Sequence, residues 1–423
     1  MAVEDSGALG LYISIPFCRS KCTYCNFASG VYPASEHARY VERLIEDLRS
    51  ARDWAARMGV ALPRRVDTVY LGGGTPSLLA PELLARLFAA MREEFDLEPD
   101  AEITVECAPG QIADETLDAL VKAGVNRVSL GVQSFIDREA AASGRLHSRA
   151  TVEEDLRRLR AAGISNLSVD LIAGLAGQTF VSWEESLAAL IGSGVPHASV
   201  YMLEVDEDSR LGREMLAHGV RYHAGLVPSD DAIAQMYSTA IEMLGAAGLG
   251  QYEISNFCRP GFASRHNLRY WRRRPYLGLG LDASSMLREA LHAADSGGPG
   301  YILRATTTDD LPAYLAGPAS AETAWLSPER QHEEAWFLGL RLNAGVEVAA
   351  IEQEFGMEPA ARAMETVARL AAGGLLTSDT KTVRLTARGQ LLSNDVFQEF
   401  IGFAAEKAAA DGYTQLQPLC GPC

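Results

Sequence analysis

Residues 11–28 read LYISIPFCRSKCTYCNFA, an apolar run that leads into a loop with three cysteines. The run 11–15 has the length and composition of a buried strand. Cys18, Cys22 and Cys25 follow it with the spacing C-x3-C-x2-C. Thiolates are soft ligands that select zinc, copper(I) or iron–sulfur clusters. Three of them complete neither an all-thiolate zinc site nor a fully protein-ligated four-iron cluster, so one metal position is left for another molecule.

An open metal position favours a catalytic or ligand-binding centre over a structural one. The spacing resembles that of the radical SAM superfamily, and the resemblance implies a [4Fe-4S] cluster whose fourth iron is offered to S-adenosylmethionine (SAM), which chelates it through its amino and carboxylate groups. Two alternatives stay open at this point. One is a zinc knuckle with a distant fourth ligand, and the other is three unrelated buried cysteines, since free cysteine is often a core residue.

The composition is that of a folded protein with an excess of acidic residues. The 423 residues are 48% hydrophobic and 22% charged, which argues against a disordered chain. The net charge of −17 argues against nucleic acid and anionic membranes as partners. MAVEDSGALG at the start has no signal-peptide pattern, and no run of 18 apolar residues occurs. We therefore expect a cytoplasmic protein, where clustered cysteines bind metal more often than they form disulfides.

Six strand-then-helix units follow one another between residues 11 and 203. The strands are expected at 11–15, 66–71, 102–106, 127–132, 166–172 and 197–203, each a short apolar run of the kind covered on both faces. The expected fold class is α/β, a partial (βα)6 barrel with a wide lateral opening. Parallel sheets build their sites at the carboxyl ends of their strands. The residues expected to converge there are Cys18, Gly73, Glu106, Gln133, Asp170 and Glu204.

The second half of the chain has a different organisation. Aromatic, amide and imidazole groups without a clear period predict a site-building loop over 251–257, 265–271 and 276–280. Helical patterns with two short strands follow, similar to a winged-helix module. The expected divisions are a tail at 1–10, the barrel with its loops at 11–290, a linker at 291–323, a mainly helical C-terminal domain at 324–405 and a tail at 406–423.

Several sequence blocks together resemble the radical SAM superfamily, and within it the branch of the HemN and HemW proteins. The blocks are LYISIPFCRSKCTYCNF, VYLGGGTPSLL, EITVECAPG, NRVSLGVQSF with the trailing GRLHS, NLSVDLIAGLAGQT and EISNFCRPGFASRHNLRYW. The coproporphyrinogen dehydrogenases of this branch carry a further cysteine two residues after the third ligand, where this chain has Phe27. The resemblance is therefore closer to the haem chaperones, and it implies haem as cargo.

The resemblance also implies which residues hold the cofactors. Cys18, Cys22 and Cys25 would ligate the [4Fe-4S] cluster. The residues implied to contact SAM are Tyr12, Tyr24, Gly73, Gly74, Thr75 and Glu106, and those at a second SAM position are Gln133, Arg145, Asp170 and Glu204. Structural alternatives exist: a strand-to-helix turn for the glycines, an ion pair for Arg145 and Asp170, and sheet packing for Tyr12.

His266, in the string His266-Asn267-x-x-Tyr270-Trp271, is the candidate haem ligand. Imidazole ligates haem iron, and neighbouring aromatic rings can cover a porphyrin face. His147 has a weaker claim. The chain departs from the haem-chaperone pattern in having Ser284 where a histidine is expected and Ala108 where asparagine is expected. It also ends in Cys420-Gly421-Pro422-Cys423.

Three functions compete on these grounds. The first is a haem chaperone that passes haem to a membrane respiratory protein, with a homodimer left open. The second is a radical SAM enzyme that decarboxylates a porphyrinogen or transfers methyl groups with two SAM molecules. The third is a structural zinc protein. Phe27 counts against porphyrinogen decarboxylation, and the residues at the second SAM position keep methyl transfer open.

Overall fold

The structure is a computed structural model that describes residues 7–290, 299–317, 322–379 and 381–402. The tail at 406–423 with its two cysteines, residues 1–6 and parts of the predicted linker lie outside the described residues.

Twelve strands form one large sheet, in the order β12-β11-β10-β9-β1-β2-β3-β4-β5-β6-β8-β7. Its strands are β1 Leu9–Ile15, β2 Arg65–Gly73, β3 Asp96–Cys107, β4 Arg127–Gln133, β5 Asn166–Ala173, β6 His197–Met202, β7 Gly250–Glu253, β8 Asn256–Cys258, β9 Tyr276–Leu279, β10 Ser284–Arg288, β11 Ile302–Thr306 and β12 Glu322–Leu326. Strands β1 to β6 are parallel and adjacent in chain order. The predicted α/β fold with six consecutive parallel strands is confirmed.

The helices connect these strands and build the C-terminal part. They are α1 Ala34–Met58, α2 Pro81–Glu94, α3 Asp114–Lys122, α4 Asp137–Ala142, α5 Arg149–Ala161, α6 Phe180–Ser193, α7 Arg210–Leu216, α8 Asp230–Ala246, α9 Arg265–Trp271, α10 Leu311–Ala316, α11 Pro328–Leu340, α12 Val348–Phe355, α13 Met357–Ala372, α14 Ala387–Leu391 and α15 Ser393–Gln398. Short 3-10 turns occupy Pro76–Leu78 and Arg221–Leu226. In the described ranges, no helix is both long and apolar enough to cross a membrane.

The two faces of the parallel sheet differ in chemistry. Odd-numbered residues of β1 such as Leu11 and Ile13 join the main apolar core, where they pack with helix residues such as Leu44 of α1. The opposite face is polar although it is also buried. Tyr12 is in register with Tyr70, Tyr70 with Thr104, and Thr104 with Arg127. This polar face forms the lining of the partial barrel.

The segments predicted as a site-building loop are in fact regular structure. Residues 250–258 form the hairpin β7–β8, and 265–271 form α9. Strand β9 pairs in parallel with β1, with Gly10 opposite Tyr276 and Ile13 opposite Leu279. A seventh parallel strand therefore extends the six predicted ones. Pairing with a strand more than 260 residues away in sequence leaves no local pattern, which explains the error.

The sheet continues beyond the barrel into the range predicted as a linker. Strand β11 lies within 291–323 and pairs antiparallel with both β10 and β12, and α10 lies within the same range. This part of the range is an extension of the large sheet. A second apolar core lies in the C-terminal part around Trp336, Val367 and Phe400. Its helices pack on an antiparallel sheet of β13 Val346–Glu347, β14 Leu376–Ser378 and β15 Thr382–Leu385.

Candidate functional site

The cysteine loop leaves β1 and is tied down by backbone hydrogen bonds at both ends. Cys18 N donates to Gly30 O at 2.8 Å, and Gly30 N donates to Pro16 O at 2.9 Å. Its three cysteines are half-buried and form no disulfide. Thr75, beyond the end of β2, reaches the loop twice. Its backbone N–H donates to Phe17 O at 2.8 Å, and its hydroxyl donates to Cys18 Sγ at 3.9 Å.

The glycines after β2 allow this loop to approach closely. A Cβ on Gly74 would stand 2.8 Å from Ile15 O and 2.8 Å from Phe17 O, both of which are backbone atoms. Gly74 N in turn donates to Ile15 O at 2.8 Å. Gly73 has φ +97°, a conformation that side chains other than glycine rarely adopt. The glycine run therefore docks the cysteine loop, which is a sufficient structural reason for its composition.

The thiols sit in a partly apolar environment. Burial raises the pKa of the Cys18 and Cys25 thiols, and hydrogen bonding to Ser29 offsets this in part. They are therefore held as thiols until a metal displaces the protons. Within the described ranges, no three His, Cys, Asp or Glu side chains are arranged to hold a single metal ion. That finding concerns one ion and not a multi-iron cluster.

A cluster of polar side chains, which we call the polar pocket, lies at the carboxyl ends of β3, β4 and β5. A Cβ on Gly131 would stand 2.8 Å from Arg145 Nη2 and 3.3 Å from Gln133 Nε2. Both side chains therefore pack directly against the backbone of β4 at Gly131. Gln133 adopts φ 69°, a left-handed conformation that costs energy in a residue with a side chain. Such strain is concentrated at functional sites. Gln133 Oε1 and Arg145 Nε are buried without a hydrogen-bond partner.

Two half-buried carboxylates lie beside these residues. Glu106 accepts a hydrogen bond from the Tyr70 hydroxyl at 2.7 Å, and Asp170 accepts bonds from Ser129 Oγ at 3.0 and 3.1 Å. Burial raises the pKa of Glu106 to about 7, with Asp170 adding to the rise and Arg145 opposing it. Burial also raises the pKa of Asp170. The nearby positive charges of Arg127 and Arg145 oppose this rise in the pKa of Asp170.

Tyr24 connects the cysteine loop to this pocket. Tyr24 is half-buried and its hydroxyl is buried. Burial raises its pKa, and the nearby Arg145 opposes the rise. Cys22 also acts on it, which places Tyr24 between the loop and the guanidinium. Tyr12 of β1 stacks on Tyr70 with ring centroids 6.2 Å apart, and its hydroxyl lies near Gly73. Sheet packing therefore accounts for part of its role.

These residues fit a polar cofactor beside a thiolate-bound metal cluster. Gln133 Oε1 and Arg145 Nε are buried groups that lack partners, and such groups are costly unless a ligand satisfies them. A carboxylate and an amino group are what an arginine and an acidic residue would bind. Glu204 is the exception among the predicted residues. It follows β6 and is exposed, so the structure does not bring it into the buried pocket.

The imidazole of His266 is hydrogen-bonded at both of its nitrogens. Its imidazole is fully buried, with Nδ1 bonded to Thr68 Oγ1 at 2.9 Å and Nε2 bonded to the Tyr270 hydroxyl at 2.9 Å. An iron bound to His266 would displace one of these two hydrogen bonds. His147 is also buried, and its Nε2 bonds to Val132 O at 3.1 Å. Haem ligation by His266, and the weaker claim of His147, stay predictions.

Two buried polar residues that line the partial barrel, Arg127 and His197, were not predicted from the sequence. Arg127 is buried on β4, one row below the pocket, and it lowers the pKa of Asp170. His197 on β6 is also buried, with both ring nitrogens bonded, to Ser168 Oγ and the Tyr252 hydroxyl. Both occupy alternate positions of apolar strands. This alternation in the sequence could have predicted the polar lining, because a strand with polar residues at every second position has one polar face.

Comparison with known proteins agrees with this geometry. The Radical SAM superfamily model matches residues 12–190, and the HemN C-terminal domain model matches residues 326–392. Heme chaperone HemW of Lactococcus lactis is 34% identical over 92% of this chain and 96% of its own length. Heme chaperone HemW of Bacillus subtilis is 33% identical over 92% of this chain and 98% of its own length.

A solved structure supports the fold separately. Coproporphyrinogen III oxidase (HemN) from Escherichia coli, described as a radical SAM enzyme, superposes with a TM-score of 0.75 over 93% of this chain and 90% of its own. Its sequence is 23% identical, so this likeness concerns the fold alone. With relatives above 30% identity along nearly the whole length, the chain belongs to the HemW family of the radical SAM superfamily.

Proposed function

We propose that this protein is a haem chaperone that binds haem together with a [4Fe-4S] cluster and SAM. The observation that carries the proposal is the cysteine loop beside a buried pocket whose Gln133 and Arg145 atoms lack partners. The relatives named Heme chaperone HemW support haem as the cargo.

Residues of this chain have distinct roles in the proposal. Cys18, Cys22 and Cys25 hold the cluster, and Thr75 fixes the loop through its bonds to Phe17 and Cys18. Glu106 accepts hydrogen bonds from the amino or ribose groups of SAM, and Tyr12 and Tyr24 line its path to the loop. Gln133, Arg145 and Asp170 provide the polar groups of the second SAM position. When bound, a cluster with SAM supplies one-electron reductive cleavage of the sulfonium.

Phe27 favours the chaperone over porphyrinogen decarboxylation. It stands where the decarboxylating enzymes of the branch carry a further cysteine, and its side chain is 37% exposed. The backbone carbonyl of Phe27 accepts a hydrogen bond from Lys21 Nζ at 3.0 Å, which shapes the end of the loop. The partner in this proposal is a membrane respiratory protein that accepts haem, and the place of action is the cytoplasm.

A radical SAM enzyme is the second candidate, because the buried cluster of Gln133, Arg145 and Asp170 provides a polar site separate from the cysteine loop. That site suits an enzyme that uses two SAM molecules. Decarboxylation of a porphyrinogen and methyl transfer both remain within this candidate.

The cluster is tested first. Anaerobic purification and reconstitution should give a brown protein with about four irons per chain, and Cys18→Ala should lose the absorption. A control variant, Cys258→Ala, changes a cysteine outside the loop and should keep it. A colourless wild-type protein with stoichiometric zinc would contradict the proposal.

The choice between chaperone and enzyme needs two assays on the same reconstituted protein. Haemin is titrated and followed by its Soret band, and SAM cleavage is measured with and without coproporphyrinogen III. Haem binding without porphyrinogen turnover is the expected result. Conversion of the porphyrinogen to product would establish the enzyme instead.

A further inference from the structure

Arg127, at the start of β4, is a buried cation without a direct partner. The residue is 2% exposed. It alternates with the core residues Val128 and Leu130, so its side chain faces the interior of the partial barrel. To the residues that the structure describes it makes no side-chain hydrogen bond and no ion pair, and its Nε is buried. An unpaired guanidinium is costly to bury, so we expect an acceptor that the protein itself does not supply.

The two neighbours of Arg127 across the sheet are also unsatisfied. Thr104 on β3 and Asn166 on β5 are in register with it, one on each side. Thr104 is completely buried and its hydroxyl has no partner, and the side-chain oxygen of Asn166 is buried without one as well. Adjacent strands lie about 4.8 Å apart, so the three positions span about 10 Å. Unsatisfied buried polar groups are rare, and three in one row indicate that a polar ligand completes them.

The other groups around the guanidinium do not pair with it. Burial lowers the pKa of His197 on β6 and of His266 on α9, and the positive charge of Arg127 adds to both effects. Asp170 on β5 also feels this charge, but it accepts its hydrogen bonds from Ser129 Oγ at 3.0 and 3.1 Å. The charge of Arg127 thus reaches three different elements, which places the guanidinium in the interior of the barrel rather than against one wall.

The charges of the lining restrict the ligand to a monovalent anion. Arg127 and Arg145 are opposed by Asp170, Glu106 and Glu102. Burial raises the pKa of Glu106 to about 7, so this group is only partly ionised near neutral pH. Glu102 is bonded to the first backbone N–H groups of α9, at 3.0 Å each. A dianion such as phosphate would be repelled by these carboxylates, whereas one negative charge balances Arg127.

A carboxylate matches the unsatisfied groups. Its two oxygens accept hydrogen bonds from neighbouring N–H groups of one guanidinium in a single plane. The Thr104 hydroxyl is a further donor on the adjacent strand, and the Asn166 amide presents its NH2 group when the amide is turned over. A water molecule would satisfy the N–H groups of Arg127 but would leave its charge unbalanced.

From these observations we infer that Arg127 and Thr104 form a carboxylate-binding site in the interior of the barrel, below the polar pocket. The carboxylate is either a free small anion or the acid group of a larger ligand that enters through the pocket. The site goes beyond the proposed function, because it depends on neither the cluster cysteines nor haem.

The first measurement locates the anion directly. Crystals of the full chain, with its cluster reconstituted under anaerobic conditions, are soaked in sodium bromide, whose anomalous scattering marks bound monovalent anions. We expect a bromide beside the Arg127 guanidinium, and its displacement by sodium formate. Bromide at surface arginines alone, with water at Arg127, would overturn the inference. This measurement uses wild type and does not depend on the folding of a variant.

The second measurement is the urea midpoint as a function of sodium formate. Sodium gluconate, a carboxylate too large for a small interior site, keeps the ionic strength constant. A ligand that binds the folded state raises the midpoint along a saturating curve, which we expect for wild type. Thr104→Val removes the hydroxyl and should need about tenfold more formate for half of the rise. Arg127→Met should show no rise.

Arg52→Met is the matched control, because Arg52 on α1 donates to backbone carbonyls and takes no part in the lining. It should follow the wild-type curve, as should Cys18→Ala, which lacks the cluster. A rise of equal size in wild type and Arg127→Met would overturn the site. Saturating SAM identifies the source of the carboxylate. Loss of the formate response assigns the site to the acid group of a bound ligand, and an unchanged response assigns it to a free anion.

Discussion

At the scale of single residues, Glu106 has the most informative titration. Burial raises its pKa from 4.5 to about 7, so the folded state binds a proton more tightly than the unfolded state. The contribution of Glu106 to the free energy of unfolding is then most favourable below about pH 4.5 and falls as the pH rises towards 7. The shift corresponds to a loss on the order of 3 kcal/mol.

Glu106→Gln should remove this loss, because the amide oxygen still accepts the Tyr70 hydroxyl and carries no charge to bury. We expect the urea midpoint of the variant, without added SAM, to exceed that of wild type at pH 8 and to match it near pH 4.5. Glu154→Gln is the control, an exposed carboxylate on α5 paired with Arg157. Equal midpoints of wild type and Glu106→Gln at pH 8 would contradict the buried, ionisable environment assigned to Glu106.

Substitution of His266 should lower the stability of the protein, unlike the substitution of Glu106. Its removal leaves the hydroxyls of Thr68 and Tyr270 without their imidazole partner inside the protein. His266→Ala should therefore lower the free energy of unfolding by about 2 to 5 kcal/mol. As the predicted haem ligand, His266 should also be needed for haemin binding, so the folded variant should bind haemin at least about tenfold more weakly. A haemin affinity within about twofold of wild type would contradict the ligand role.

At the scale of elements, the junction between the cysteine loop and the end of β2 depends on one missing side chain. Gly74→Ala puts a methyl group 2.8 Å from backbone atoms that cannot rotate away, so the loop must shift. Overpacking of this kind costs about 1 to 3 kcal/mol. The expected result is less iron per chain after reconstitution and a lower urea midpoint.

Gly192→Ala is the matched control for that substitution. Gly192 lies in α6, and a Cβ there meets nothing within 4 Å. Alanine in a helix should leave stability unchanged or raise it by up to about 1 kcal/mol. Full iron retention in Gly74→Ala would show that the loop tolerates displacement and that the glycine is not needed for docking.

Elements also show what the sequence can and cannot predict. Strands β1 to β6 were predictable, because each is a short apolar run followed by a helical period, and consecutive β-α units pair side by side. Strand β9 was not, since its four residues, Tyr276–Leu279, pair with β1 from far along the chain. The cysteines and the pocket residues Glu106 and Asp170 were found by their positions at strand ends. The occupied nitrogens of His266 became visible only when Thr68, 198 residues away, was placed beside it.

At the scale of the whole molecule, the C-terminal part joins the barrel through a buried charge pair. Glu253 of β7 is fully buried, and Arg341, just after α11, approaches its Oε2 at 3.7 Å. The Arg341 guanidinium also lies 4.2 Å from the centre of the Trp271 ring. Ile254 N donates to Arg341 O at 3.1 Å, so backbone and side chain make the same junction.

Removing only the Arg341 charge should lower the free energy of unfolding more than removing the charges of both Glu253 and Arg341. Arg341→Met leaves Glu253 buried without its cation, which we expect to lower the free energy of unfolding by about 3 to 5 kcal/mol. Glu253→Gln combined with Arg341→Met should recover at least half of that loss, because no uncompensated charge remains. Urea denaturation and the rate of thermolysin cleavage within 326–402 provide the two measurements.

Arg369→Met is the control, since it breaks an exposed pair with Glu399 by the same side-chain change. Exposed pairs contribute about 0 to 1 kcal/mol, so little effect is expected there. Additive losses in the double variant would mean that Arg341 acts through its packing on Trp271 rather than through the charge of Glu253. In that case Arg341→Leu and Arg341→Met should lower the free energy of unfolding by different amounts, because the two side chains cover the indole ring of Trp271 to different extents. Under the charge-pair account they should destabilise the protein equally, and the thermolysin rates of the two variants should coincide.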